Sequence, residues 1–417
     1  MSRRYFSRFI RWLAMGMGVY FIITAILSIT VDPWRINGTP LAIDALDGVR
    51  EIGNTVRVGK AALANRGHWK IVILGSSRIE IALDPEHPAF HGERAVNLAM
   101  PAANLYETVP EGNYVLDRNP QIQTLILGIE PDDLYSDYDS RKYTGFYQSP
   151  FADNNHSIER GINQVIGGRA LMDSLFTLQR YFQGHAPERN PLGRWLEPNY
   201  PVNLREYVES TFHGGYEMAA DQWNLRPQIL HQPKVRLLAG LIGRVRQAGI
   251  RMEIVIPPRH ALSQIHPTAD HPKSIAWEPG LRSLIEICRK ANATLAKGPP
   301  VQLWCFLTFN PNTSIAMPRP GASPRQMPGW FDLGHSKKDL GDLVLNTVFA
   351  GSPGVAATPP VGVNLLDVDW AAYQAAWIEG HRAYCATQPQ DVAWWRGLIA
   401  RSTDQRKATR SVAEGDP

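Results

Sequence analysis

The stretch Lys70-Ile71-Val72-Ile73-Leu74-Gly75-Ser76-Ser77-Arg78 decides the fold of this chain. Its aliphatic and β-branched run is short and uninterrupted, which is typical of a strand buried on both faces of a parallel sheet. The run ends in Gly-Ser-Ser, where Gly75 permits a sharp turn and a close approach of the backbone. The sequence therefore predicts a buried strand that delivers Ser77 to the rim of a sheet.

Further short aliphatic segments follow, separated by helical or loop-forming sequence. Strands are predicted at residues 95–99, 124–129, 252–256 and 301–307, and helices at 43–65, 230–247 and 370–399. This alternation predicts an α/β fold in which a parallel sheet is flanked on both faces by helices.

The N-terminal segment has the length and composition of a transmembrane helix. Residues 12–31 carry no charge and match the hydrocarbon thickness of a bilayer. Four arginines precede this run, Arg3, Arg4, Arg8 and Arg11, so the positive-inside rule places the N-terminus in the cytoplasm and the rest outside. Ser2-Arg3-Arg4-Tyr5-Phe6 also resembles a twin-arginine export signal. The apolar run is long for a cleaved signal and no Ala-x-Ala site follows it, which favours an uncleaved anchor over a leader or a buried helix.

The rest of the chain divides into three parts. Residues 32–67 are predicted to form a stalk and a helix, 68–351 the main domain, and 352–417 a helical extension with a disordered tail from residue 401. An insertion at about 135–233 has helical character in its first half. It is expected at the carboxyl edge of the sheet, where ligands bind in open α/β folds, or as a lid with a structural role only. Residues 311–328 are predicted to be a loop that reaches across the site.

Composition excludes several classes of function. The 417 residues have a formal net charge of +4 and no long Lys/Arg run, which argues against a nucleic-acid partner. The cysteines Cys288, Cys305 and Cys385 are too few and too scattered for a disulfide framework or a zinc site, which favours three buried, unpaired thiols. Neither a metal nor an organic cofactor is expected.

A second motif supplies the partners that a reactive serine needs. Asp332-Leu333-Gly334-His335 places an acid and an imidazole three residues apart. A serine hydroxyl requires a base, and the base requires a carboxylate that fixes its tautomer. Ser77, His335 and Asp332 are therefore the candidate catalytic residues. Taken singly, Gly-Ser-Ser is also a common turn and Asp-x-x-His a common helix cap.

Four blocks in this order resemble the SGNH (GDSL-type) hydrolase superfamily, over about residues 70–351. They are residues 71–77, 97–104, Gly128-Ile129-Glu130-Pro131 and 332–335. The chain looks most similar to membrane-anchored bacterial members from exopolysaccharide gene clusters, such as the alginate O-acetylation proteins and the membrane-anchored protein of teichoic-acid D-alanylation.

The resemblance implies an SGNH or flavodoxin-like three-layer sandwich, with Ser77 as nucleophile, His335 as base and Asp332 as its partner. In the family, the oxyanion hole uses the N–H of the nucleophile, a glycine N–H from the second block and an asparagine side chain from the third. This chain has Ala102 or Ala103 in place of the glycine and Glu130 nearest the asparagine. Either Glu130 points away, or Asn97 or Asn104 substitutes, or the chemistry is weak.

Other residues are candidates for substrate contacts. Arg78 follows the nucleophile, and Arg259 and His260 follow the fourth predicted strand on the same rim, although Pro257-Pro258 before them could serve only to end that strand. Three aromatic residues in the insertion could stack on sugar rings or pack a lid: Tyr143, Phe146 and Tyr147.

The expected function is that of a bacterial inner-membrane enzyme whose main domain faces the periplasm. It would be a serine esterase or O-acyltransferase acting on acyl groups, foremost acetyl, of a cell-surface or secreted polysaccharide. A membrane protein that passes acyl groups across the bilayer would be its partner if it transfers them. The alternative is a catalytically degenerate scaffold that binds polysaccharide or assembles an envelope complex, which the position of Glu130 favours.

Overall fold

The computed structural model describes residues 3–35, 41–47, 49–50, 56–152, 157–196, 204–211, 229–294, 297–319, 327–350 and 360–413. In these ranges six strands form one mixed sheet in the order β2-β1-β3-β4-β5-β6. They are β1 (Ile71–Leu74), β2 (Ala95–Asn97), β3 (Thr124–Gly128), β4 (Arg251–Ile256), β5 (Gln302–Cys305) and β6 (Val363–Asn364). The first five pair in parallel, and β6 is antiparallel to β5.

Helices flank this sheet and extend from it. They are α1 (Arg3–Thr30), α2 (Val56–Arg66), α3 (Ser77–Ala82), α4 (Leu105–Arg118), α5 (Ser157–Ile166), α6 (Gly168–Phe182), α7 (Leu204–Thr211), α8 (Gln232–Gln247), α9 (Ala261–Gln264), α10 (Glu278–Ala293), α11 (Lys338–Val348), α12 (Trp370–Thr387) and α13 (Pro389–Ala413).

Both faces of β1 are buried, as its uninterrupted aliphatic run predicts. Val72 and Leu74 pack in one apolar cluster with residues of α4 and α8. Ile71 and Ile73 point to the other face, into a second cluster with residues of α3 and α11. The sheet is therefore covered by helices on each side, and its carboxyl edge is left for loops.

The predicted strands are all present, with bounds that differ by a few residues. The strand β6 was not predicted because two residues show no period. The predicted helix 43–65 is instead a 3₁₀ helix at Asp44–Leu46 followed by α2, and residues 48 and 51–55 lie outside the described residues. The three cysteines are buried and unpaired, as predicted.

The predicted disordered tail from residue 401 is wrong in its first part, because α13 continues to Ala413. Residues 398–413 contain neither Gly nor Pro that would end the helix. Several stretches covered by the domain predictions lie outside the described residues: 153–156, 197–203 and 212–228 of the insertion, 320–326 of the loop, and 351–359.

Among the residues that the structure describes, one helix is long and apolar enough to cross a membrane, over Tyr5–Thr30. The helices α5 and α6 pack against α1, and a Cβ placed on Gly168 would lie 3.7 Å from the hydroxyl of Tyr20. The helical half of the insertion therefore packs on the apolar surface of α1, while Leu192 in its second half accepts a 2.9 Å hydrogen bond from the Asn97 N–H at the carboxyl end of β2.

Candidate active site

Ser77 lies directly beyond the end of β1. Gly75 has a φ of 150°, and a Cβ there would lie 2.7 Å from the Ile79 side chain and 3.3 Å from the Cα of Gly128, so the close approach of β1 and β3 requires glycine. Ser76 caps α3, because its hydroxyl accepts a 3.3 Å hydrogen bond from the Arg78 N–H. These local constraints make Ser77 the first residue of α3 at the carboxyl edge of the sheet.

Asp332 and His335 belong to a tight loop that precedes α11. The Asp332 Oδ1 atom accepts hydrogen bonds of 2.7 Å from the backbone N–H groups of both Gly334 and His335. The carbonyl of His335 in turn accepts a hydrogen bond from the Phe331 N–H at 2.9 Å. The carboxylate thus has one oxygen fixed by the backbone and the other directed at the imidazole.

The three predicted catalytic side chains form one hydrogen-bonded chain. The Ser77 Oγ lies 2.8 Å from the Nε2 of His335, across 258 positions of sequence, and the His335 Nδ1 lies 2.7 Å from the Oδ2 of Asp332. A carboxylate only accepts, so Nδ1 carries the proton and Nε2 accepts from the serine hydroxyl. Burial alone would raise the pKa of Asp332, but His335 and the backbone hydrogen bonds lower it, which keeps this group ionised.

The three hydrogen-bonded side chains lie at a position in the sheet that fits a ligand site. The strand order 2-1-3-4-5 reverses direction between β1 and β3, and open α/β sheets bind ligands beyond the carboxyl ends of the strands at such a reversal. Ser77 follows β1 and Glu130 follows β3, so both lie at this reversal.

Glu130 is paired with two cations. Its Oε2 accepts from the guanidinium of Arg78 and, at 2.8 Å, from that of Arg259, while its Oε1 accepts from the Ser76 hydroxyl at 3.2 Å. Burial would raise the pKa of this carboxyl, but the two guanidinium groups outweigh it and lower the pKa. Its negative charge is therefore balanced within the protein.

Arg78 also reaches the loop that carries the other two catalytic candidates. Its Nε donates a 2.9 Å hydrogen bond to the Gly334 carbonyl. A Cβ on Gly334 would lie only 3.1 Å from the same guanidinium, so a larger residue would require Arg78 to shift by a few tenths of an ångström. Apart from the glycine between Asp332 and His335, no feature of the sequence indicates this contact.

The backbone candidates for an oxyanion hole differ in their availability. Within the described part of the chain, neither the Ser77 N–H nor the Ala102 N–H donates a hydrogen bond to another residue. The Ala103 N–H, by contrast, donates to the Met100 carbonyl at 3.2 Å. Ala102 has a φ of 55°, the left-handed conformation that favours glycine, and it is one of the two residues that stand in place of the glycine of the second block.

The asparagine candidates are both engaged elsewhere. The Asn104 Nδ2 donates to the Tyr138 carbonyl at 2.8 Å, and its Oδ1 caps α4 by accepting from the Tyr106 N–H. Asn97 is fully buried and its Nδ2 donates to the Leu83 carbonyl at 2.8 Å. The Asn97 amide also donates to the Ile79 and Glu80 carbonyls and has no N–H to spare, whereas the Asn104 amide uses only one of its two N–H groups in this arrangement.

A cleft opens beside Ser76 and extends between the loops that follow β1, β2 and β3. Its lining includes Ser76, Ala102, Asn104, Glu130, Asp132 and Tyr138. At its border the rings of Tyr138 and Tyr143 stack at a centroid distance of 5.7 Å, and their exposed fractions are 48% and 74%. Phe146 is buried, whereas Tyr147 is exposed.

The predicted substrate contact of His260 is wrong. Its ring is fully buried, Nε2 donates to the Ile315 carbonyl at 2.7 Å, and Nδ1 accepts from the Leu262 N–H at 3.2 Å. Burial lowers its pKa to about 4, so the ring is neutral. The physical reason is local: His260 caps α9.

Arg259 lies at the predicted rim but is almost buried. Its guanidinium binds Glu130 and Asp132 and lies 4.4 Å from the centroid of the Trp277 ring. Its main contact is therefore the ion pair with Glu130, rather than a surface open to substrate.

The helix α3 is tied to distant parts of the chain by a buried carboxylate. Glu80 is fully buried and pairs with Lys60 of α2 at 3.1 Å and with Arg189, which follows α6, at 2.8 Å. Burial lowers the pKa of Lys60 to about 8. These pairs connect the helix that begins at Ser77 to the elements beside α1.

Among the described residues, no three His, Cys, Asp or Glu side chains are grouped so as to hold a metal ion. A scan against protein-family models finds no match to this chain, and neither a search of curated proteins nor one of solved structures finds a similar protein.

Proposed function

We propose that this protein is a membrane-anchored serine esterase or O-acyltransferase of the SGNH type, with its main domain in the periplasm. The observation that carries the proposal is the hydrogen-bonded chain from Ser77 through His335 to Asp332. The strand order 2-1-3-4-5, which is that of flavodoxin-like folds, also supports it.

In the proposed reaction, the Ser77 Oγ attacks the carbonyl carbon of an acyl ester while His335 Nε2 takes the hydroxyl proton. Asp332 stabilises the imidazolium and keeps its orientation. The tetrahedral intermediate collapses, His335 returns the proton to the leaving alkoxide, and the acyl group stays on Ser77. Attack by water releases the acid, and attack by a sugar hydroxyl transfers the acyl group.

The Ser77 and Ala102 N–H groups are the proposed donors to the oxyanion. Neither N–H group has another acceptor among the described residues. Both could therefore bind the oxyanion without first breaking a hydrogen bond, and such preorganised donors stabilise a transition state most effectively. Asn97 has no amide N–H to spare for the oxyanion, and an enzyme without a third donor from Asn104 would lose about 2.7–4 kcal/mol of transition-state stabilisation. Such an enzyme would be slow.

An acylated polysaccharide, foremost an acetylated one, is the proposed substrate class. The resemblance to proteins of exopolysaccharide gene clusters suggests it, and the stacked Tyr138 and Tyr143 at the border of the cleft offer aromatic faces to sugar rings. A membrane protein that delivers acyl groups would be the donor for a transferase.

The second candidate is a scaffold that binds polysaccharide without chemistry. The buried and fully engaged side chain of Asn97 favours it. The intact hydrogen bonds of Ser77, His335 and Asp332 favour the enzyme.

A serine-directed fluorophosphonate separates the two candidates. We expect it to label the wild-type chain but not Ser77→Ala, since only an activated serine reacts. The matched control is Ser76→Ala, which should remain labelled while losing about 1 kcal/mol of stability with its helix cap. Equal labelling of wild type and Ser77→Ala, or none of either, would reject the enzyme in favour of the scaffold.

A further inference from the structure

The helix α6 exposes an apolar stripe. Met172, Leu175 and Phe176 are 47%, 45% and 44% exposed, and Phe182 at the end of the helix is 80% exposed. Residues three and four positions apart lie on one face of a helix, so Met172, Leu175 and Phe176 form a continuous surface, and Phe182 lies beyond the exposed Gln179. Soluble proteins rarely expose contiguous apolar patches of this kind.

The opposite face of α6 is small and polar. Four residues turn inward: Ala170, Asp173, Ser174 and Thr177, which are at most 2% exposed. The Nε1 of Trp34 donates a 2.9 Å hydrogen bond to the Asp173 carboxylate, which fixes the rotation of the helix. A helix on a water-facing surface has the reverse arrangement, with its apolar face inward.

The apolar stripe lies next to the candidate membrane span. Both α5 and α6 pack against α1, with Gly168 beside Tyr20. On α1, Ile22, Ile23 and Ile26 are 61%, 49% and 56% exposed. The exposed apolar side chains of α1 and α6 therefore belong to neighbouring, packed helices.

Positive charge gathers just beyond the C-terminal end of α1. A cleft next to Trp34 is lined by five basic and two acidic side chains: Arg35, Arg50, Lys60, Arg66 and Arg189, with Asp47 and Glu188. Four of these basic groups are balanced within the protein, Arg35 and Arg50 by Asp47 and Lys60 and Arg189 by Glu80. The cleft therefore offers little net charge to lipid headgroups, and the apolar surfaces of α1 and α6 are the features that fit a bilayer.

We propose that α5 and α6 are embedded beside α1 in the extracytoplasmic leaflet, with the stripe Met172–Leu175–Phe176 against lipid acyl chains. This inference rests on α1 as a membrane span, which is part of the proposed function. The polar inward face of α6 then packs on protein, and its apolar outward face meets the apolar solvent that suits it. The protein is thereby held by a three-helix unit.

Nitroxide scanning of the full chain in phosphatidylcholine–phosphatidylglycerol vesicles tests the proposal. Spin labels are placed singly at Phe176→Cys and Met172→Cys, at Met15→Cys of α1 as the lipid reference, and at Arg382→Cys of α12 as the aqueous control. The native cysteines are buried, and burial raises the pKa of Cys288 to about 12, so they resist labelling. Accessibility to oxygen, which concentrates in lipid, is compared with accessibility to a water-soluble nickel chelate.

We expect positions 172 and 176 to favour oxygen several-fold over the control, as position 15 does. Nickel access at 172 and 176 equal to that at 382, with position 15 in lipid, would overturn the embedding of α6 while leaving the anchor intact. Exclusion of both reagents at 172 and 176 would show that protein covers the stripe and would also overturn the inference. Nickel access at position 15 would reject the membrane span itself, and the embedding with it.

Discussion

At the scale of single residues, Arg78 joins the separate parts of the candidate site. It binds Glu130 at the end of β3 and the Gly334 carbonyl in the loop of Asp332 and His335, while its own backbone follows Ser77. Because it is held on both sides, its predicted role as a direct substrate contact is secondary to the positioning of His335. Glu130, whose position in the sequence favours a scaffold, is the counter-ion that makes this bridge possible.

Glu130→Gln should lower stability by about 2 kcal/mol at neutral pH, because the variant loses charge-assisted hydrogen bonds to Arg78 and Arg259. The folded pKa of Glu130 is lowered below its usual 4.5, to about 2. Its stabilisation is thus present above pH 4.5 and lost as the pH falls toward 2. Urea unfolding from pH 7 to pH 3 should show a shallower loss of the free energy of unfolding in the variant than in wild type.

The control is Glu286→Gln on the surface of α10, whose stability is expected within about 0.5 kcal/mol of wild type. A free energy of unfolding that falls with pH in Glu130→Gln as steeply as in wild type would contradict the ion-pair account.

Ala102→Gly should raise the free energy of unfolding by about 0.5–1 kcal/mol, because glycine adopts a φ of 55° without steric cost. Fluorophosphonate labelling should persist, since the backbone N–H is kept. Ala103→Gly, whose backbone lies outside the left-handed region, should instead lose about 1 kcal/mol. Chemical unfolding of both variants measures the difference, and destabilisation by Ala102→Gly would contradict the assignment of strain.

At the scale of elements, the contact between α3 and α11 aligns the catalytic candidates. The helix α3 begins at Ser77, and α11 begins three residues after His335. A Cβ on Gly341 of α11 would overlap the carbonyl of Ala82 at the end of α3. This glycine therefore sets the distance between the two helices.

Gly341→Ala should cost about 1–3 kcal/mol of stability through overpacking. It should also slow fluorophosphonate labelling, because separating the two helices lengthens the hydrogen bond between Ser77 and His335. Gly240→Ala in α8 is the matched control: its Cβ meets nothing within 4 Å, so it should be neutral or stabilising by up to about 1 kcal/mol. Rates of labelling and urea unfolding measure both effects. Equal behaviour of the two variants would show that α11 tolerates a shift.

The elements that the sequence predicted are those whose signal is local. The strand β1 is predicted from its own aliphatic run. The pairing of Ser77 with Asp332 and His335 is predicted from the order of the four blocks that resemble the SGNH superfamily. The environment of α5 and α6 was not predictable in the same way, because an apolar helix face looks alike whether it meets a core, a lid or lipid. The ion pairs of Glu130 join residues far apart in sequence and leave no periodic pattern.

At the scale of the whole molecule, the N-terminal helix determines where the chemistry would occur. A phosphatase reporter that is active only outside the cytoplasm, fused after residue 60, should be active, because the arginines before residue 12 retain the N-terminus inside. The control replaces Arg3, Arg4, Arg8 and Arg11 with glutamine and should reduce reporter activity. A wild-type fusion without phosphatase activity, together with an active fusion of a cytoplasmic reporter at the same residue, would reject the periplasmic assignment.

The buried pairs of Glu80 with Lys60 and Arg189 have a consequence for how the protein would meet a polymer. They join the first turn of α3 to α2 and to the segment after α6. In the proposed membrane-anchored enzyme, Ser77 would therefore stay at a constant height above the bilayer and would sample only a thin layer of space. A growing glycan would be modified only while it passes through that layer, close to its point of export, and the mature polymer beyond would be out of reach.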